Sequence, residues 1–264
     1  MKFDQPAIIF CATQRSGSTM IVDDFQNVTG RKLTQTEAFY HLVIAKKITD
    51  WDQAIGVLQQ FRAGEAIFFD KVMFPHLPQL ARMIAPEAKA SGAMHFAKYF
   101  ANATWVYIRR ANIFEQTVSK YTAESLNVWD SSQAKTGFND AINFDLDRAM
   151  DYMRALIRED HQWLTFFRRH DIRPIHICYE DAVPHYPHYL APVLKAAGLD
   201  VDLAKAGPRR KKKVGNQRSA ILADVLQNMV LRDLISHSFQ SRVALRQMQN
   251  PPVTPPTANE ADEG

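Results

Sequence analysis

The chain of 264 residues is 46% hydrophobic and has a formal net charge of +4, with Lys+Arg 32 and Asp+Glu 28. This length and apolar content suit one globular domain with a substantial core, and so small a charge does not indicate nucleic-acid binding. No segment has the length of a membrane span or the pattern of a signal peptide, so we expect a cytoplasmic protein without stable membrane insertion. We predict a single domain over residues 1–248 and a disordered tail over residues 249–264.

The first predicted strand leads into a turn with the features of an anion-binding loop. Residues 8–10 form an apolar run typical of a buried strand, which ends at residues 13–17. Ser18 or Thr19 is predicted to cap the helix that follows. The first N–H groups of a helix lack intrahelical acceptors and the helix dipole is positive there, so this turn and Arg15 predict an anion site. The spacing and lysine of a Walker A motif are absent, and an ordinary strand–turn–helix corner is the alternative.

Strands and helices alternate along the rest of the chain. Further strands are predicted at residues 66–74, 104–108 and 174–178, and helices at residues 41–62, 77–83, 113–125, 146–167, 190–197 and 219–248. This alternation predicts an α/β fold in three layers, a parallel sheet with helices on both faces. The two cysteines, Cys11 and Cys178, lie in predicted strands and are expected to be buried, reduced thiols.

The helix over residues 146–167 has the clearest apolar periodicity in the chain. Its apolar residues recur at spacings of three and four and are predicted to face the core. These residues are Leu146, Ala149, Met150, Met153, Leu156, Ile157, Leu164 and Phe167.

Cationic side chains follow three of the predicted strands. Arg15 comes after the first strand, Lys71 ends the second, and Arg109 and Arg110 follow the third. In open parallel sheets the ligand lies beyond the carboxyl ends of the strands. The sequence therefore predicts an anion site at this edge of the sheet, although packing at a strand end also explains Lys71.

Two segments together resemble the nucleotide-binding signatures of sulfotransferases that use 3′-phosphoadenylyl sulfate (PAPS). The first is residues 12–19, and the second runs from Arg110 to Ser119. The resemblance implies that Arg110 and Ser119 hold the 3′-phosphate of PAPS. It implies that the 5′-phosphosulfate is held by Gln14, Arg15, Ser16, Gly17, Ser18 and Thr19.

The chain most resembles the bacterial trehalose 2-sulfotransferase family. The segments that carry this resemblance are residues 11–19, 69–73, 110–119, 121–129 and 179–183. It implies a sulfotransferase fold related to that of P-loop NTPases, a carbohydrate or other hydroxyl acceptor, and a homodimer. No metal is implied, and no Asp, His or Cys grouping in the sequence has metal-ligand spacing.

The same resemblance implies that a glutamate before two aromatic residues is the catalytic base. Glu37, which precedes Phe39 and Tyr40, matches that position. In eukaryotic cytosolic sulfotransferases the base is a histidine two residues beyond a lysine, whereas Met73 follows Lys71 at that distance here. Glu37 as a first-turn helix acid and a nearby histidine, His76, as the base both remain open alternatives.

The mechanism implied is in-line transfer of a sulfuryl group, physically akin to phosphoryl transfer. Glu37 would accept the proton of the attacking hydroxyl, while Arg15 and the amides of residues 16–19 would stabilise charge on the leaving phosphate. Lys71 would assist at the sulfuryl group. Phe39, Tyr40 and Trp129 are predicted to line the acceptor pocket.

A basic loop near the C-terminus is the last candidate anion site. The superfamily often closes over the 3′-phosphate with such a loop, and here it would contribute Arg209, Lys213 and Gly215. A run of cations is also common on solvated surfaces. Two other function classes remain alternatives for the chain. One is a P-loop nucleotide kinase, and the other is a non-catalytic module that binds polyanions.

Overall fold

A computed structural model of the protein describes residues 6–31, 37, 40–41, 48, 50, 52–54, 56–57, 67–78, 92–129, 142–211 and 217–249. The predicted helices over residues 41–62 and 77–83 fall largely outside these ranges, as does the predicted C-terminal tail. Among the described residues, no helix combines the length and the apolar character that crossing a bilayer requires.

The centre of the fold is a parallel sheet of four short strands. In chain order these are β1 (Ala7–Ala12), β2 (Phe68–Met73), β3 (Thr104–Arg109) and β4 (Ile175–Cys178). Their order across the sheet is β2-β1-β3-β4, and each neighbouring pair is parallel. All four carboxyl ends therefore lie at one edge, and β1 is central.

Helices pack on both faces of this sheet. The helices of the described residues are α1 (Ser18–Thr29), α2 (Gly92–Tyr99), α3 (Ile113–Leu126), α4 (Leu146–Arg169), α5 (Tyr179–Ala182), α6 (Ala191–Ala196) and α7 (Gln217–Gln249). The last of these, α7, packs on α3 and α4 rather than on the sheet. Short 3₁₀ turns at His188–Leu190 and Leu203–Lys205 flank α6. The predicted α/β fold is confirmed.

Alternating side chains of β1 separate two hydrophobic cores, because successive residues of a strand point to opposite faces. Ile9 and Cys11 pack with aromatic residues of α2 and α4. Ile8 and Phe10 pack on the other face with α1 and α6. Both thiols are free, so the prediction of reduced cysteines is confirmed, but only Cys11 is buried; Cys178 is partly exposed, and the prediction of its burial is wrong.

The buried side of α4 differs in part from the prediction. Ile157 is 50% exposed and Leu164 is 40% exposed, so the assignment of these two residues to the core is wrong. Trp163 and Phe166 are buried in their place. Successive residues of a helix are turned by about 100°, so Ile157 and Leu164 lie beside the buried stripe rather than on it.

Candidate functional site

The turn after β1 has left-handed backbone at two positions. Arg15 has φ 61° and Gly17 has φ 84°. Gly17 is the N-cap of α1 and has no side chain to bond the first amides of the helix, so the prediction that Ser18 or Thr19 is the cap is wrong. The hydroxyl of Ser16 is buried and has no hydrogen-bond partner. An uncapped helix start beside an unpartnered hydroxyl and an arginine fits an anionic group.

Gly17 is also required by close packing against Tyr179. A Cβ atom built at Gly17 would lie 2.0 Å from Cδ2 of the Tyr179 ring, well inside van der Waals contact. The turn after β4 therefore covers the turn after β1, and only glycine provides both the positive φ and the space.

Arg15, from the first of the two signature segments, contacts Ser119, from the second. The Nε of Arg15 donates to the Ser119 hydroxyl at 3.0 Å, and a terminal nitrogen of the same guanidinium donates to the carbonyl of Trp129. The Trp129 indole is 37% exposed next to this contact. The structure therefore joins the first loop, α3 and the segment after α3 at one place.

A chain of polar contacts links the start of α1 to Glu37. The Lys71 ammonium at the end of β2 donates to the Thr19 hydroxyl at 3.0 Å and lies 3.1 Å from Oε1 of Glu37. The Lys71 side chain is almost completely buried, so these oxygens are its immediate surroundings. The structure thus brings the candidate base to the anion-binding loop.

His76 contacts the other oxygen of the same carboxylate. Its Nε2 lies 3.4 Å from Oε2 of Glu37, and its ring stacks on Tyr40 with 3.8 Å between the ring centroids. Burial lowers the pKa of His76 to about 4. The imidazole is therefore neutral at physiological pH, and it lies beside Glu37 rather than apart from it.

Arg110, between β3 and α3, lies among carboxylates. Its guanidinium pairs with Glu115, lies 3.6 Å from Glu180 and stacks on the Tyr179 ring at 5.0 Å. Glu180 also accepts hydrogen bonds from the amides of Ala111 and Asn112. Of the three residues that the two signatures supply, Arg15 and Ser119 are in direct contact. The contacts of Arg110 are those of a buried ion pair.

Burial alone would raise the pKa of Glu180, but the two amide hydrogen bonds and the Cys178 thiol together lower it. The ionised carboxylate is therefore the favoured form beside Arg110. A phosphate that bound Arg110 from this side would therefore have to displace the Glu180 carboxylate.

Arg209 is held by α1 and the segment after α5. Its guanidinium donates to the buried carboxylate of Asp24, with Nε 3.0 Å from Oδ2, and to the carbonyls of Ala182 and Val183. The Tyr189 hydroxyl donates to the same carboxylate at 2.7 Å. These contacts hold Arg209 against α1, and its role in binding the nucleotide stays a prediction.

Three of the predicted site residues, Phe39, Lys213 and Gly215, lie outside the described residues. Within the described ranges, no cluster of three or more His, Cys, Asp or Glu side chains is arranged to hold a metal ion.

Residues of α3 that the sequence analysis did not single out contact the loop directly. The Gln116 amide donates to Thr13 Oγ1 at 2.8 Å and to the Gln14 carbonyl at 2.7 Å. The Lys120 ammonium donates to the side-chain carbonyl of Gln14. The sequence signal for these two residues was a polar side chain on the buried side of a helix. Such a side chain is rarely buried without a hydrogen-bond partner, so a partner on a neighbouring element could have been expected.

Comparison with known proteins gives a family for this arrangement. The family model described as Stf0 sulphotransferase matches residues 55–227, which is more than half of the chain. Lys71, Arg110 and Ser119 lie inside the matched region, whereas Arg15 and Glu37 precede it. No curated protein matches the chain. The chain belongs to the Stf0 sulphotransferase family.

Proposed function

We propose that the protein transfers a sulfuryl group from PAPS to a hydroxyl of a carbohydrate acceptor, with Glu37 as the general base. The family supports sulfate transfer. The donor, the acceptor class and the base are inferred from the arrangement at the carboxyl edge of the sheet.

The contact chain from Thr19 through Lys71 to Glu37 carries this proposal. Thr19 belongs to the first turn of α1, where a helix binds anions, and Glu37 lies 3.1 Å from the lysine that contacts Thr19. A general base must lie within reach of the group that attacks the donor. Lys71 joins an anion-binding element and a carboxylate base over two short contacts, which is the proximity that direct transfer needs.

The donor would be held by residues of the turn after β1 and by α3. The hydroxyl of Ser16 and the first amides of α1 are suited to the phosphosulfate, because they donate hydrogen bonds to oxygen anions. Arg15 adds a guanidinium, and Ser119 orients it through the 3.0 Å hydrogen bond. Arg110 stays a predicted ligand of the 3′-phosphate, and its Nε is buried without a hydrogen-bond partner.

The reaction would be a single displacement at sulfur. Glu37 accepts the proton of the acceptor hydroxyl while the hydroxyl oxygen bonds to sulfur, and the bond from sulfur to the 5′-phosphate oxygen breaks. The products are a sulfate ester and adenosine 3′,5′-bisphosphate. Arg15 and the amides at the start of α1 stabilise the charge that develops on the departing phosphate oxygen.

Aromatic side chains beside these residues support a carbohydrate as the acceptor. Tyr40 is stacked on His76, which contacts Glu37, and Trp129, which is 37% exposed, accepts a hydrogen bond from Arg15 through its backbone carbonyl. Sugars pack their apolar faces on aromatic rings, so the two residues would flank an acceptor that approaches Glu37.

The test measures transfer of labelled sulfate from PAPS to trehalose and to a panel of other saccharides. We expect Glu37→Gln to lower the transfer rate by about 10²–10⁴-fold, because the proton acceptor is lost. The affinity for adenosine 3′,5′-bisphosphate should stay within a few-fold. Asp151→Asn is the matched control, since Asp151 is an exposed carboxylate paired only with Arg154 among its described ion pairs.

Two results would contradict the proposal. Normal transfer by Glu37→Gln, together with its loss in His76→Gln, would make His76 the base. Stabilisation of the wild-type protein by ATP with magnesium or by heparin, without any by adenosine 3′,5′-bisphosphate, would contradict PAPS as the donor.

A further inference from the structure

The buried face of α3 holds the turn after β1 by its backbone. Gln116 is almost fully buried, and its amide donates to both the side chain of Thr13 and the carbonyl of Gln14. These two bonds use both hydrogens of one amide group. Gln116 therefore holds the two residues that immediately precede Arg15.

Lys120, one turn further along α3, holds the side chain of Gln14. The ammonium is buried and donates to Oε1 of Gln14, and Glu124 lies 3.4 Å away. The partly buried Glu159 of α4 interacts electrostatically with the same ammonium. Gln14 is thus bonded through its side chain and its carbonyl, which leaves it little freedom to rotate.

Gln116, Ser119 and Lys120 lie on one face of α3, because residues three and four apart on a helix are neighbours. Thr13, Gln14 and Arg15 are consecutive, so a single helix face contacts three successive residues of the loop. Left-handed backbone at a residue other than glycine costs free energy and persists where the surroundings enforce it. Arg15 has φ 61°, and the contacts on its N-terminal side are those of Gln116 and Lys120.

We infer that Gln116 and Lys120 are positioning residues that hold Arg15 in its left-handed conformation and so aim its guanidinium at the donor. This inference rests on the proposed function, because the task of Arg15 is set by that function. Neither residue touches the reacting groups. Their effect on transfer passes through Arg15.

The first test is a double-mutant cycle on the kcat for transfer from PAPS. Gln116→Leu should lower kcat by about 100-fold in the protein with Arg15, since a small misplacement of a catalytic group has an effect of this size. In the Arg15→Ala background the same substitution should change kcat by less than about twofold, because nothing remains to be positioned. An equal loss in both backgrounds would overturn the inference and make Gln116 a general structural residue.

The matched control for the cycle is Thr117→Val. Thr117 is the neighbour of Gln116 on α3, is fully buried, and bonds only to the Ile113 carbonyl of its own helix among the described hydrogen bonds. It should leave kcat unchanged. A loss of kcat in this variant equal to that of Gln116→Leu would also overturn the inference.

The second test does not depend on the donor. Hydrogen exchange of the Arg15 Nε–H is followed by NMR in arginine-labelled protein, with the signal assigned by its absence in Arg15→Ala. Gln116→Asn keeps the amide on a shorter side chain. In this variant the Arg15 Nε–H should exchange about tenfold faster, because its hydrogen bond to Ser119 is no longer held in place.

Lys120→Met should give the same result and Lys120→Arg a smaller one. Unchanged exchange in the Asn and Met variants would overturn the inference. Should Gln116→Leu fail to fold, Gln116→Asn replaces it in the cycle. If the wild-type protein transfers nothing from PAPS, the proposed function fails while the exchange measurement still decides the inference.

Discussion

Two arginines, Arg15 and Arg209, were predicted to bind the same nucleotide, and the structure holds them in different ways. Arg15 donates to a hydroxyl and a backbone carbonyl at the edge of the sheet. Arg209 donates to the buried carboxylate of Asp24 and to two carbonyls. Removing the guanidinium from such a pair is costly, because it leaves a buried carboxylate without a compensating charge. The two arginines therefore differ in their partners, and variants of each test whether they also differ in role.

The largest expected effect is the loss of stability in Arg209→Ala. Asp24 would keep its buried carboxylate without the guanidinium, and breaking a buried pair in this way costs about 3–5 kcal/mol. Urea unfolding at pH 7 measures the change. A loss below about 1 kcal/mol would place Arg209 in the same class as a surface arginine and remove the contrast with Arg15.

Arg15→Ala should have the opposite profile. We expect transfer to fall by about 10²–10³-fold, because a donor to the developing oxyanion is lost, while the free energy of unfolding changes by less than about 1 kcal/mol. Steady-state kinetics and urea unfolding of the same preparation give the two values. A variant that is unstable but fully active would reverse the comparison.

The stability deficit of Arg209→Ala should depend on pH. Burial raises the pKa of Asp24 in the native protein, and the hydrogen bonds from Tyr189 and Arg209 limit that rise. Removing Arg209 raises the folded-state pKa further. A carboxyl whose folded pKa exceeds its unfolded value contributes stability at low pH, and this contribution is lost as the pH rises through the folded pKa.

The deficit should therefore be smaller at pH 4 than at pH 7, by about 1 kcal/mol or more. Unfolding curves of both proteins at the two pH values measure this. Arg209→Ala with Asp24→Asn should show no such difference, since the titrating group is gone. A deficit that grows as the pH falls would contradict the explanation.

The smallest effect is expected for the neighbouring residue, Arg210. Its guanidinium pairs with Asp23 at 3.0 Å but is half exposed, and exposed ion pairs contribute about 0–1 kcal/mol. Arg210→Ala should lower the free energy of unfolding by less than about 1 kcal/mol, and 0.5 M salt should remove most of that difference. A change as large as that of Arg209→Ala would show that burial does not separate the two residues.

The sequence was sufficient to predict the sheet and most of its helices. Strands rich in β-branched and aromatic residues and a helix with strict periodicity are local patterns, and β3 and α4 were predicted within two residues of their observed ends. The loop, Lys71 and Glu37 were predicted as one site because motif resemblance and the topology of parallel strands agree. The structure places these residues in contact.

The sequence was insufficient where a polar residue is buried by a distant partner. Asp24 of α1 is a charged residue, a type usually found at the surface. It is buried together with its partner Arg209, 185 residues away in the sequence. Gln116 and Lys120 of α3 are likewise polar residues that are buried beside partners far away in the sequence. Arg110 matches a motif and has one carboxylate partner, Glu115, nearby in the sequence, but the second, Glu180, lies 70 residues further along the chain, which no local pattern shows.

The packing of Gly17 against Tyr179 bears on the order in which parts of the protein fold. The ring that covers this turn comes from beyond β4, about 160 residues later, so the turn cannot reach its final shape from its own segment. Contacts so distant in sequence form late, because a long loop must be closed first. A nascent chain that has completed β1, β2 and β3 would hold most of its sheet and still lack a finished anion-binding turn. The turn would then be completed only after Tyr179 has packed on Gly17.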